Sequence, residues 1–298
     1  MYSISTKMNR NIWLLLMLAF LGSCRPGKKA GEKDVITVSI LPQKTFIEKI
    51  AGDDFKVNVL IPPGASPATY TLLPAQLKDI SRSIAWFRIG HIGFEYSWKD
   101  KISQVNRNMR ICDLSEGLDL ITSGKGGNHG GVMHGVNPHT WLSPADVKKM
   151  AKRIRDVLSE LNPDGAQKYQ AGYLTFTKEI DRLNMQIKAL LKDYKGGTII
   201  TFHPSFSYFA RDYGLNQVSL EADGKEPTPK HIKEVVDLAR AKNIKVIYIQ
   251  AEFDSSHARL FANEIDGRVV QLSPLDPDWA NNLLNMAKIM KENFERDK

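Results

Sequence analysis

Cysteine is almost absent from this chain of 298 residues, which contains only Cys24 and Cys112. Cys24 lies shortly after an N-terminal hydrophobic run, and Cys112 is the only thiol in the rest of the chain, where it cannot form an internal disulfide. The stability of the folded protein must then come from packing. Cys112 lies in the apolar, strand-like segment Met109–Leu114, which predicts a buried core residue rather than a nucleophile.

The N-terminal hydrophobic run is too short to span a membrane. Ile12–Leu21 has ten residues, whereas a membrane-spanning helix needs about 20. Lys7 and Arg10 precede the run, and the tetrapeptide Leu-Gly-Ser-Cys that ends at Cys24 follows it. This order resembles the signal peptide and lipobox of bacterial lipoproteins, in which the Cys is the lipidated first residue of the mature protein. The resemblance implies a periplasmic protein anchored by lipid to a cell membrane; the alternatives are a plain signal peptide and a start at Met8.

The chain also has only a small excess of positive charge. The formal net charge is +8, and removal of Lys7 and Arg10 with the leader leaves +6. The basic residues are scattered among acidic ones, without a basic block interleaved with aromatics, so nucleic acid is not an expected partner. The sequence lacks a His-Glu-x-x-His motif, a nucleophile elbow, a Walker loop and a dinucleotide fingerprint, which argues against an enzyme.

Strand-like and helix-like patterns alternate in two parts of the chain, which indicates parallel sheets flanked by helices, an α/β fold. In the first part the pattern predicts strands at Val35–Ile40, Val57–Ile61 and Ile84–Ile89, with helices at Thr45–Ala51 and Pro74–Ser81. In the second part it predicts strands at Thr198–Phe202, Gln217–Leu220, Val246–Gln250 and Arg268–Leu272, with helices at Ser205–Tyr213, Pro229–Ala241, Ser256–Ile265 and Trp279–Arg296.

Between these parts the chain has a long segment of helical character. A helix is predicted from Ala145 to Leu161, and apolar residues recur at helical spacing over Ala166–Tyr194 without a Pro. A helix of that length spans a whole molecule, so we expect it to join two α/β lobes. The predicted division is a signal peptide over 1–23, a tether over 24–34, an N-terminal lobe over 35–143, helices including the linker over 144–196, and a C-terminal lobe over 197–298.

Two histidines occupy positions where ligands commonly bind. His203 follows a predicted strand, and in parallel sheets ligands bind beyond the carboxyl ends of the strands. His139 lies in a loop just before a helix whose N-cap is Ser143. His129 and His134 belong to a Gly-rich segment upstream, where a solvated loop is an alternative to a metal-binding role.

Five motifs together are similar to those of the zinc and manganese solute-binding proteins of ABC importers, in the same order and over nearly all of residues 35–298. They are Gly64–Tyr70, Pro74–Gln76, Asn137–Pro144, Phe202–Phe209 and Ala251–Phe253. The resemblance implies two α/β lobes with a divalent metal in the cleft between them. It also implies a monomeric protein whose partners are the metal and the importer's permease.

The family's metal ligands are only partly present. The resemblance assigns ligands to His139 and His203, but Ala68 and Ser273 stand where relatives have a His and an Asp. Two ligands are too few for zinc, which takes four. Further candidate ligands are Glu252, which is the first choice because it lies near a strand's carboxyl end, and then Asp276, Glu221, His91, His129 and His134. His231 and His257 are expected at the surface.

Three functions remain open at the level of the sequence. The first is capture of zinc, with manganese as the alternative, because imidazole suits zinc whereas manganese prefers carboxylate oxygens. The second is a degenerate homologue that binds a metal chelate, another small ligand or a partner protein, which Ala68 and Ser273 favour. A metallohydrolase is the weakest reading, because no carboxylate has the spacing of a general base.

Overall fold

The computed structural model describes residues 33–67, 69–122, 128–129, 132–133, 135–221, 227–253 and 255–297. The predicted signal peptide, Cys24 and nearly all of the tether lie outside these residues. Within the described part of the chain, no helix is both long enough and apolar enough to cross a membrane.

The N-terminal lobe is built on a parallel sheet of four strands. Its elements are β1 (Asp34–Val38), α1 (Leu41–Ala51), β2 (Phe55–Val59), α2 (Pro74–Ser81), β3 (Ser83–Arg88), α3 (Gly93–Val105) and β4 (Arg110–Asp113). The strand order is β2-β1-β3-β4, and every pairing is parallel. Cys112 lies on β4 with 2% of its surface exposed, which confirms the predicted core position.

A second parallel sheet of four strands forms the C-terminal lobe. Its elements are β5 (Thr198–Thr201), α6 (Ser207–Tyr213), β6 (Asn216–Ser219), α7 (Pro229–Ala241), β7 (Val246–Gln250), α8 (Ser256–Glu264), β8 (Arg268–Leu272) and α9 (Trp279–Arg296). The strand order is β8-β7-β5-β6. The two sheets with their helices confirm the α/β fold class.

Two helices connect the lobes, α4 (Pro144–Leu161) and α5 (Ala166–Leu191). The 26 residues of α5 span about 39 Å at about 1.5 Å per residue, and Lys192–Tyr194 continue it as a 3₁₀ turn. This helix contacts α1 of the first lobe and α9 of the second. The predicted long linker helix is therefore confirmed.

A continuous hydrophobic core extends through both lobes. It contains Ile36 and Phe46 from the N-terminal lobe, Phe176 from α5, and Tyr248 and Leu272 from the C-terminal lobe. A smaller core, which includes Ile200 and Phe261, lies on the far side of the C-terminal sheet. The shared core fixes the edges of the two sheets with respect to each other.

Two local features of the N-terminal lobe differ from the sequence pattern. Helix α1 begins at Leu41 rather than Thr45, because the Gln43 side chain accepts hydrogen bonds from the backbone N–H groups of Ser39 and Ile40. Helix α3 follows β3 in a segment to which the apolar pattern assigns no element. Tertiary contacts stabilise it, since Phe94 and Ile102 are buried.

Candidate metal centre

His139 is held in place by the residue two positions before it. The Asn137 Oδ1 atom accepts a hydrogen bond from the backbone N–H of His139 at 3.0 Å and lies 2.9 Å from its Nδ1. Because an amide oxygen can only accept, Nδ1 carries the proton and Nε2 of the neutral ring has the free lone pair. The Ser143 hydroxyl accepts from the N–H of Asp146 at 3.0 Å, which confirms the predicted N-cap of α4.

A carboxylate orients His203, which lies just beyond β5. The Glu221 Oε2 atom lies 2.6 Å from Nδ1 of His203. Glu221 follows β6, the parallel neighbour of β5, so the carboxyl ends of adjacent strands bring the two side chains together. A carboxylate that binds one ring nitrogen of a His directs the other nitrogen outward, an arrangement common around metal ligands.

The two imidazoles meet in a cavity between the lobes. Their ring centroids are 5.1 Å apart and their planes are inclined by 72°. The cavity has a volume of about 590 Å³. The Phe253 ring stacks on His203 at 5.2 Å, and Trp141 packs beside His139 at 5.1 Å. The structure thus brings together the two residues to which the family resemblance assigns ligands.

Burial controls the charge of His139, whose surface is 8% exposed. Loss of hydration on burial holds the pKa of His139 well below its ordinary value, and repulsion by His203 acts in the same direction. A lowered pKa favours the neutral ring, which is the protonation state that binds a metal.

Three of the other candidates, His91, Glu221 and Glu252, line the same cavity. Nδ1 of His91 is hydrogen-bonded to the hydroxyl of Tyr96. Burial lowers the pKa of His91, which the charge of Asp113 partly opposes. Burial raises the pKa of the Glu252 carboxyl. Glu221 contacts the His139–His203 pair through its hydrogen bond to Nδ1 of His203.

Asp276 does not line the cavity that contains His139 and His203. It lines a separate cavity of about 180 Å³ together with Ser273, and its carboxylate accepts a hydrogen bond from the N–H of Asp278 at 2.8 Å. Ala68 and His134 lie outside the described residues, and His129 is described only by its backbone pairing with Val132. In the described ranges no three His, Cys, Asp or Glu side chains are close enough to hold a metal ion together.

Gln250, which no sequence pattern singles out, also lines the cavity with His139 and His203. Its side chain is 6% exposed, and its buried Oε1 atom has no hydrogen-bonding partner within the described chain. Gln250 is the last residue of β7, so its position at a strand's carboxyl end was the available signal. The expected surface residues lie apart from the pair: Nε2 of His231 contacts the Ser219 carbonyl, and His257 stacks on Phe202.

Comparison with known proteins identifies the same architecture. The family described as zinc-uptake complex component A, periplasmic, matches residues 36–296. A crystal structure of ZnuA is 36% identical, with a TM-score of 0.82, and the match covers 88% of this chain and 99% of that one. A zinc-bound ZnuA deletion mutant is 37% identical, with a TM-score of 0.81 and coverage of 87% and 97%. The zinc-binding protein AdcA of Streptococcus pyogenes serotype M3 is 27% identical over 83% of this chain, which spans only 51% of that relative.

Proposed function

Because the chain belongs to the family of periplasmic zinc-uptake complex component A proteins, we propose that it captures a divalent transition metal and delivers it to the permease of an ABC importer. Zinc is the favoured cargo and manganese the alternative, because the two ordered donors are imidazoles. The zinc-bound relative supports this choice. The role is capture and release, without catalysis.

The observation that carries the proposal is the meeting of His139 and His203 at a centroid distance of 5.1 Å. In each ring Nδ1 has a protein partner, Asn137 Oδ1 for His139 and Glu221 Oε2 for His203, which leaves Nε2 for the metal. Both Nε2 atoms bind one zinc ion at about 2.0–2.1 Å. The cargo is thus held between a loop that precedes α4 and the end of β5.

Zinc affinity of single variants tests this role. His139→Ala and His203→Ala should each weaken zinc binding at least about tenfold, measured by competition with a chromogenic chelator. His231→Ala is the matched control, because His231 lies outside the cavity, and its affinity should equal that of the wild type. Unchanged affinity in both cavity variants would contradict the proposal.

Lipid attachment at Cys24 would keep the protein beside the permease. The Leu-Gly-Ser-Cys tetrapeptide supports this, and Cys24 precedes the first described residue, Lys33, by a short polar tether. Labelling of cells with a fatty-acid analogue should modify the wild type and leave Cys24→Ala unmodified. Equal labelling of both would exclude Cys24 as the anchor.

A further inference from the structure

The cavity is much larger than a bare ion requires. An ion with donors about 2.1 Å away fills a sphere of roughly 40 Å³. The volume of about 590 Å³ instead lies within the range of pockets for small organic molecules, about 300–1,000 Å³. A metal bound only by His139 and His203 leaves most of this space to something else.

The donors around the pair leave zinc incompletely coordinated. Position 68 is Ala, which has no donor atom, and Ser273 lies in the separate smaller cavity. The Glu221 carboxylate is engaged at Nδ1 of His203. Since zinc takes four ligands and the pair supplies two, two positions are open to donors that the cargo brings with it.

Within the described residues, two polar side-chain atoms of the cavity lining have no protein partner. Oε1 of Gln250 is buried and unpartnered within the described chain. Nδ1 of His91 is bound to Tyr96, and among the described residues no partner engages its Nε2. A buried acceptor without a partner destabilises the unliganded protein, so a ligand that donates a hydrogen bond to Gln250 would be bound more tightly.

The loop that carries His91 is held rigidly. The Glu95 carboxylate accepts hydrogen bonds from the N–H groups of Ile89 and Gly90 at 2.7 and 2.8 Å. Arg88 pairs with Glu95 at 3.4 Å and donates to the Gly90 carbonyl at 2.8 Å. His91 is therefore presented to the cavity at a fixed position, as recognition of an organic ligand requires.

Hydrogen bonds between the lobes hold them in the arrangement that forms the cavity. The Trp141 indole donates to the Pro274 carbonyl at 2.9 Å, and the Trp279 indole donates to the Trp141 carbonyl at 2.7 Å. Thr45 donates to the Pro277 carbonyl at 2.6 Å. Together with the shared core, these contacts fix the two lobes with respect to each other.

The charge of the cavity selects among chelators. Its described lining contains no Lys or Arg, whereas it contains the carboxyl groups of Glu221 and Glu252. A chelator with several carboxylates would face these groups without a compensating cation. A chelator that binds zinc through one carboxylate and one nitrogen leaves the complex with a positive charge, which suits this lining.

We propose that the cargo is zinc already bound to a small amino-carboxylate chelator, with His139 and His203 completing the metal's coordination and His91 and Gln250 contacting the chelator. The inference rests on the proposed function and specifies its substrate class. It involves ligand exchange at the metal and no redox step.

Native mass spectrometry and calorimetry of the purified chain test this inference with three probes: zinc alone, zinc with L-histidine, and zinc with citrate. We expect a complex of one protein, one zinc and one L-histidine that forms at least about tenfold more tightly than the complex with zinc alone. Citrate, with three carboxylates, should give no such gain. His91→Ala and Gln250→Leu should each reduce the gain about fivefold, as for loss of one hydrogen bond to the chelator.

The outcomes separate this inference from the proposed function. One outcome is that zinc binds without L-histidine, that X-ray absorption counts three or more imidazole ligands, and that no ternary complex forms. This result would overturn the proposed chelate cargo and leave the proposed metal capture intact. A citrate complex as tight as that with L-histidine would overturn the charge argument and the proposal with it. Absence of zinc binding under all three conditions would overturn the proposed function itself.

Discussion

At the scale of single residues, His139 combines burial with a hydrogen bond that fixes its tautomer. In the unfolded chain its ring takes up a proton as the pH falls through about 6.5. Burial, reinforced by His203, holds the pKa of the folded ring well below that value. Between the two pKa values the unfolded state binds more protons, so stability is complete above about pH 6.5 and declines as the pH falls toward the folded pKa.

This difference predicts a pH dependence of the metal-free protein. Urea unfolding between pH 7.5 and 5 should give a free energy of unfolding whose decrease includes up to about 1.4 kcal/mol per pH unit from this one group. His139→Gln removes the titrating ring and should flatten the profile. Identical slopes for the wild type and the variant would show that His139 does not contribute.

Glu221 acts on the metal through His203. Glu221→Ala should lower zinc affinity about 10- to 100-fold, the usual effect of removing a carboxylate that orients a metal-binding His. Glu221→Gln keeps an oxygen that can accept a hydrogen bond from Nδ1 of His203. Its zinc affinity should therefore fall less than that of Glu221→Ala. Equilibrium competition with a chromogenic chelator measures both variants. Wild-type affinity in Glu221→Ala would contradict a positioning role.

At the scale of elements, the single Gly of α5 marks its closest approach to α1. A Cβ at Gly172 would lie 2.2 Å from the backbone oxygen of Ile50, closer than any side chain can tolerate. Gly172→Ala should therefore destabilise the protein by about 1–3 kcal/mol, although Ala ordinarily favours a helix by about 1 kcal/mol over Gly. Thr175→Ala on an exposed face of the same helix should stay within about 0.5 kcal/mol. Chemical denaturation distinguishes the two, and a stabilised Gly172→Ala would refute the close packing.

Elements with a strong local signal could be predicted from the sequence, and those shaped by tertiary contacts could not. The periodic apolar residues predict α5 from its own sequence. Ser143 and Pro144 likewise predict where α4 begins. Helix α3 depends instead on buried partners outside itself, such as the bonds from Glu95 to the preceding loop. No pattern within residues 93–105 reports those contacts.

At the scale of the whole molecule, the continuous core predicts that the lobes unfold together. Ile36, Phe176 and Leu272 belong to one buried cluster, so loss of either lobe exposes the other. Thermal unfolding of the metal-free protein should give one transition whose calorimetric and van't Hoff enthalpies agree. Two resolved transitions would contradict a shared core. Zinc at saturating concentration should raise the midpoint in a concentration-dependent way.

Only the site residues that lie in family motifs or at strand ends could be predicted from the sequence. His139 and His203 follow from the family resemblance and from topology, and the structure brings their rings together. Gln250 could not be predicted, because an amide at the end of β7 belongs to no distinctive sequence pattern. Its importance depends on a buried oxygen that lacks a partner within the described residues of the folded protein. Whether further candidates bind metal stays a prediction.

The central claim is that one metal ion binds between His139 and His203. Anomalous diffraction at the zinc absorption edge, from crystals of zinc-loaded protein, tests it most directly. We expect a single strong peak in the cavity between the lobes, about 2.0–2.1 Å from Nε2 of both residues. A peak bound to other residues, or a cavity without zinc while both imidazoles remain unligated, would contradict it.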